Sequence, residues 1–146
     1  MSLIYGDNFN GQLEFPSENM EENWYYAFFS LFYRQDKLIS AENLILPATI
    51  LPARCYSSMF YGCTSLTTAP ELPALTLSSG CYESMFSGCT SLNSIRCLAT
   101  NIEADGCTSY WLENVAANGT FIKNEKMTSW PTGKHGIPSG WTIKNI

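Results

Sequence analysis

The sequence predicts an α/β repeat fold, a short curved solenoid in which each coil contributes one helix side and one strand side. Three observations predict it. The stretch "CYSSMFYGCTSL" (55–66) returns as "CYESMFSGCTSL" (81–92), ten of twelve positions identical at an offset of 26 residues. The apolar residues of each copy fall on one stripe. A proline-bearing extended stretch separates the copies.

The repeat runs beyond two copies. A third begins at Cys107, where Trp111, Leu112 and Val115 take the places of Met85, Phe86 and Cys89. Looking backward, "AFFSLFYRQDKL" (27–38) fits the same frame, with Ala27 matching Cys55 and Leu31 and Phe32 matching Met59 and Phe60. Four units follow, the outer two degenerate, as a stacked array requires of ends that face water.

Within a unit, Cys81, Tyr82, Met85, Phe86 and Cys89 fall at i, i+1, i+4, i+5 and i+8, which predicts a short helix with one buried stripe. Ser78 or Ser79 would cap its start, Pro52 suits the first turn of the preceding copy, and Asp105 would cap the fourth helix. Gly62 and Gly88 would close the helices. Two turns of helix are unstable alone, so each must lean on its neighbours.

The rest of the unit, "LTTAPELPALTL" (66–77), is extended, because Pro70 and Pro73 oppose both helix and a fully paired central strand. A strand over Leu66–Ala69 is expected beside its copies at Leu38–Ala41 and Leu92–Ile95, with a turn at Pro70–Pro73. The ends read as caps on a single domain spanning 1–146. Residues 1–26 form an N-terminal aromatic helical cap, continued by Phe28 and Phe32 at helical spacing from Trp24. Residues 27–117 hold about four repeats. Residues 118–146 form a C-terminal β-hairpin cap, in which "GTFIK" (119–123) and "GWTIK" (140–144) bracket a Gly/Pro-rich loop.

Composition narrows the function classes. Charged residues are 14%, and polarity comes from Ser, Thr and Asn instead, a leaning toward extracellular proteins. The net charge is −5, and Asp7, Glu14, Glu18, Glu21 and Glu22 all precede the first basic residue, Arg34. Nucleic acid or an anionic membrane would need clustered Lys and Arg, which are absent. No apolar run is long enough to insert in a membrane. The start "MSLIYGDNFNG" carries no legible export signal.

Six cysteines invite a metal or disulfide reading. Five of them, Cys55, Cys63, Cys81, Cys89 and Cys107, occupy repeat positions that Ala27 and Val115 fill elsewhere, so a buried apolar role is expected. Spacings of eight residues are not zinc spacings, and no metal ligands or cofactor are assigned. Cys97 lies outside the register, which leaves Cys97–Cys107 as the one bridge to look for. His135, the sole histidine, falls in "TGKHGIPSG", a loop where it faces solvent rather than a reactive thiol. Trp24 and Trp111 are expected to seal the two ends of the array, while Trp130 and Trp141 lie in the hairpin. Asn118-Gly119-Thr120 matches a glycosylation sequon but reads as a turn.

The motifs "MFYGCTSLTTAPELPA" and "MFSGCTSL", with the tail "GTFIKNEKMTSWPTGKHGIPSGWTI", resemble the BspA-like leucine-rich repeats of bacterial surface proteins, in the 26-residue variety of Bacteroides-type bacteria. The resemblance covers about residues 27–144. It implies a right-handed leucine-rich-repeat solenoid, export to the cell surface, and adhesion or host binding. The family defines no catalytic residues, so none is carried over. The stretch "IRCLATNIEADGC" (95–107) departs from the pattern by losing the Pro-rich turn.

The expectation is therefore a non-enzymatic secreted or surface protein that binds a host or matrix protein or glycan. Thr67, Thr68 and Glu71, with Asn93, Ser94 and Arg96 one coil on, are the residues expected to face outward on the strand side. The rival expectation is a stiff spacer or cap of a larger appendage, cellular or viral, with no ligand of its own.

Overall fold

The structure is a computed structural model that describes residues 26–146. Among them the chain forms three short strands and no α-helix. The strands are β1 (Ser94–Cys97), β2 (Thr120–Lys123) and β3 (Thr142–Asn145), parallel throughout in the order β1-β2-β3. The expected helix-plus-strand α/β leucine-rich-repeat solenoid is thereby overturned: its helix side does not exist.

A ladder of turns stands where the helices were expected. In the second unit, Ser57, Met59, Tyr61 and Cys63 each donate a backbone N–H to the carbonyl three residues earlier. The residues between them, Arg54, Tyr56, Ser58, Phe60 and Gly62, donate instead to Ser79, Cys81, Glu83, Met85 and Ser87 of the next coil, at 2.8–3.1 Å. Alternate amides thus close local turns and bind the coils together. An α-helix would have spent every one of them on the carbonyl four residues back.

The backbone needs a left-handed residue every fourth position to make this turn repeat. Arg54, Ser58 and Gly62 have φ of 56°, 54° and 71°, and Gly80, Ser84 and Gly88 have 59°, 52° and 77°. Gly106, Tyr110 and Asn114 continue the series in the fourth unit. Gly62 and Gly88, expected to stop helices, are each the third member of such a series.

The stripe itself explains the mistaken helix. On a helix, successive i+4 steps drift by about 40° around the axis. A four-residue turn repeat returns to the same face with no drift, so Cys81, Met85 and Cys89 lie in one line and Tyr82 and Phe86 in the next. All five are buried, as are their counterparts Cys55, Tyr56, Met59, Phe60 and Cys63. The expected caps take other roles. Ser78 and Ser79 donate their hydroxyls to the carbonyls of Pro52 and Asp105, and Asp105 serves through its main chain by accepting the Gly80 N–H at 3.0 Å.

Aromatic columns run through the core across the coils. Phe32, Phe60 and Phe86 stack at 5.0 and 5.4 Å between centroids. Phe28, Tyr56, Tyr82, Trp111 and Trp130 form a second column, each ring 5.6–6.2 Å from the next. Trp111 occupies Met85's repeat position yet completes the tyrosine column, because the fourth unit carries Thr108 where Tyr82 would recur.

On the opposite side, Ser40 bridges Thr68 and Thr68 bridges Ser94, all parallel. The pairing joins the segments expected to stack, but as single bridges over 38–41 and 66–69 rather than strands; only β1 reaches strand length. The C-terminal hairpin is likewise corrected. Thr120 pairs with Thr142 and Phe121 with Ile143 in parallel, so β2 and β3 belong to successive coils. The stretch between them is long enough to carry the chain round and back in the same direction, as parallel pairing demands. Residues 1–25 of the proposed N-terminal cap, Trp24 included, lie outside the described residues, and the segment continuing that cap from 26 to 34 is a further turn ladder rather than a helix.

Candidate functional site

The parallel register assembles a column of hydroxyls on the sheet. Ser40, Thr68, Ser94, Thr120 and Thr142 follow one another across five coils. Strand spacing of about 4.8 Å makes this column roughly 19 Å long. Side chains alternate along β1: Ile95 and Cys97 point into the core, while Ser94 and Arg96 point outward. A second outward column follows from the same register, joining Arg96 to Ile122 and Lys144.

The six residues expected to face outward divide into three pairs. Thr68 and Ser94 stand in the hydroxyl column, half-buried between neighbours. Thr67 and Asn93 lie in the adjoining row; Thr67 donates its hydroxyl and its N–H to the Ile39 carbonyl, so it braces two coils, whereas Asn93 is exposed. Glu71 and Arg96 are exposed and meet each other at 3.2 Å. An exposed ion pair of this kind contributes little to stability, so both groups can exchange it for a ligand at small cost. Glu71 also borders a recess of about 280 Å³ with Glu42, Ile45, Pro47 and Pro73.

Thr120, Thr142 and Lys144 were missed by sequence reasoning. A hairpin would have reversed β3 and broken the column at Thr120. The signal that could have found them is the run of hydroxyl residues at equivalent positions, Thr68, Ser94 and Thr120, at a constant offset of 26.

The remaining candidates assemble no catalytic or metal centre among the described residues. All six cysteines are buried and free, so Cys97 and Cys107 form no bridge. No group of three or more potential metal-ligating side chains converges among the described residues. Burial pushes the Cys81 and Cys97 thiols up to about 12 and drives Cys55 higher still. Cys63 and Cys89 donate to the carbonyls of Phe32 and Phe60, at 3.0 and 2.9 Å. The contact between these two thiols pushes Cys89 upward, reinforced by burial, and draws Cys63 downward against its own burial. Thiols held in the neutral form are poor nucleophiles.

His135 is exposed, as expected, but it is not idle. Its Nδ1 accepts the backbone N–H of Tyr110 at 2.9 Å and its carbonyl accepts the Thr108 hydroxyl at 2.9 Å. With Gly136, whose carbonyl accepts the Trp111 indole N–H at 2.8 Å, it supplies acceptors that a further coil would otherwise provide. Trp111 is fully buried and stacked, while Trp141 is buried and donates to the Ala116 carbonyl at 2.7 Å. Among the described residues, no helix is long and apolar enough to cross a membrane. Comparison with family models, curated proteins and solved structures finds no match to this chain.

Proposed function

We propose that this protein is a non-enzymatic surface or secreted binding module whose sheet face engages a host or matrix protein or glycan. The observation that carries this reading is the hydroxyl column from Thr68 through Ser94 and Thr120 to Thr142, which lies beyond the buried Ser40 and is flanked by the exposed Glu71–Arg96 pair. Evenly spaced donors and acceptors on a stiff face suit an extended polar polymer, whose own hydroxyls or amides repeat at comparable intervals. The likeness of the "MFYGCTSLTTAPELPA" and "MFSGCTSL" motifs to BspA-like bacterial surface repeats supports the same reading and an extracellular setting. The face is small, so affinity for one copy is weak and multiple copies raise it by avidity.

A second reading, a stiff spacer or cap with no ligand, is favoured by the continuous aromatic columns, which make the array resist bending. One experiment separates the two. Multivalent protein is screened on matrix-protein and glycan arrays, alongside Glu71→Lys, Arg96→Glu and Thr68→Lys. Binding that all three variants weaken supports the sheet face. Binding untouched by them places the contact elsewhere, and no binding in multivalent format favours the spacer.

A further inference from the structure

The last turn ladder ends on an acceptor that a proton removes. Within the array, Ser58 gives its N–H to the Glu83 carbonyl and Ser84 gives its own to Ser109, each at 2.8 Å. Tyr110 holds the next place in that column, with the same left-handed backbone at φ 53°. Its N–H goes instead to the imidazole Nδ1 of His135 at 2.9 Å. A carbonyl keeps its lone pairs at every pH, whereas an imidazole nitrogen accepts only while the ring is neutral. Accepting at Nδ1 also sets the tautomer, with the proton on Nε2.

We propose that His135 is a proton-sensitive latch on the last coil. Neutral, it closes the coil by replacing a main-chain carbonyl; protonated, it presents an N–H to the N–H of Tyr110, and the two repel. The latch is tied to its surroundings on both sides. The Tyr110 ring packs edge-on against the imidazole at 4.4 Å, and the segment is held by Thr108 on His135 and Trp111 on Gly136. Two further charged groups bear on it. Lys134, on the same loop, sets its Nζ 5.0 Å from the Tyr110 ring centroid, and Glu113 of the last coil lines with Lys134 a recess of about 300 Å³. Release of the latch leaves the Tyr110 amide without its acceptor and loosens the segment that covers Trp111. Histidine is the side chain whose charge ordinarily changes between pH 5 and 8, and this chain has one.

Nitrogen NMR on the intact protein and amide exchange test this together. At pH 7.5 the His135 ring should show the Nε2–H tautomer. Protection of the Tyr110 amide, taken relative to Ser84, should fall about tenfold between pH 7.5 and 5.0, the loss of one hydrogen bond. His135→Asn, whose amide oxygen accepts at both pH values, should abolish that fall. An Nδ1–H tautomer, an unchanged ratio in the native protein, or an equal fall in His135→Asn would each overturn the latch.

Discussion

Phe60 donates its backbone N–H to the carbonyl of Met85, 2.9 Å away on the next coil. The Phe60 ring stacks on Phe86 at 5.4 Å, so main chain and side chain make the same step along the array. Adjacent coils are therefore joined twice over, by hydrogen bonds from alternate residues and by rings in register. A bundle of short helices would have had only the second.

The left-handed positions offer the first test. Ser84 sits at φ 52°, a conformation that costs a residue with a Cβ about 1–2 kcal/mol and glycine almost nothing. Ser84→Gly should therefore exceed Ser84→Ala in stability by about 1 kcal/mol in urea denaturation. A helix would reverse the order, because glycine there costs about 1 kcal/mol relative to alanine.

The tryptophans at the end of the array should respond unequally. Trp111 is fully buried, stacks between Tyr82 and Trp130, and donates to Gly136. Trp130 is only partly buried, and its indole N–H is enclosed without a hydrogen-bond partner among the described residues. Trp111→Phe should cost about 2 kcal/mol more than Trp130→Phe, since it forfeits a hydrogen bond as well as packing. Chemical denaturation of the two variants measures the difference.

Alkaline pH should unfold the protein ahead of an ordinary thiol-free fold. In the unfolded chain Cys81 and Cys97 ionise near the ordinary value of 9.0, but burial raises both to about 12 in the folded state. Below pH 9 both states hold these protons and the stabilisation is complete. Between 9 and 12 the unfolded chain binds fewer protons, so stability falls as pH rises, by up to about 1.4 kcal/mol per pH unit for each thiol. The double variant Cys81→Ala/Cys97→Ala should show a shallower slope, whatever its starting stability.

The same burial governs reagent access. With every cysteine free and at most 3% exposed, native protein should react slowly with a thiol reagent, and denatured protein should yield six thiols. A count of four after denaturation without reductant would instead reveal a disulfide.

The sequence made the period and the core legible, and for a physical reason. Identical residues 26 apart can only pile up if each coil presents the same surface to the next, so Met59 over Met85 and Phe60 over Phe86 follow from the repeat itself. The helix was misread because Cys81, Met85 and Cys89 satisfy both a helical stripe and a four-residue turn repeat. What separates the two is the pair Ser58 and Ser84, serines that carry no visible mark of a left-handed backbone. The hairpin was misread because Asn118-Gly119 marks a turn but not where the following strand pairs. Half of the sheet face could be read: Thr68 and Ser94 lie within the clean repeats, whereas Thr142 follows a shorter coil that breaks the offset. Nothing in the sequence around His135 signals that its ring replaces a carbonyl, because that partnership depends on where the last coil ends.

Scalar couplings across hydrogen bonds, which link a donor nitrogen to the acceptor carbonyl carbon, test the coil-to-coil ladder most directly. With the ladder in place, the Phe60 nitrogen couples to the Met85 carbonyl carbon, and the Met59 nitrogen to that of Tyr56. Coupling of Phe60 to Tyr56, four residues back along its own segment, would contradict it.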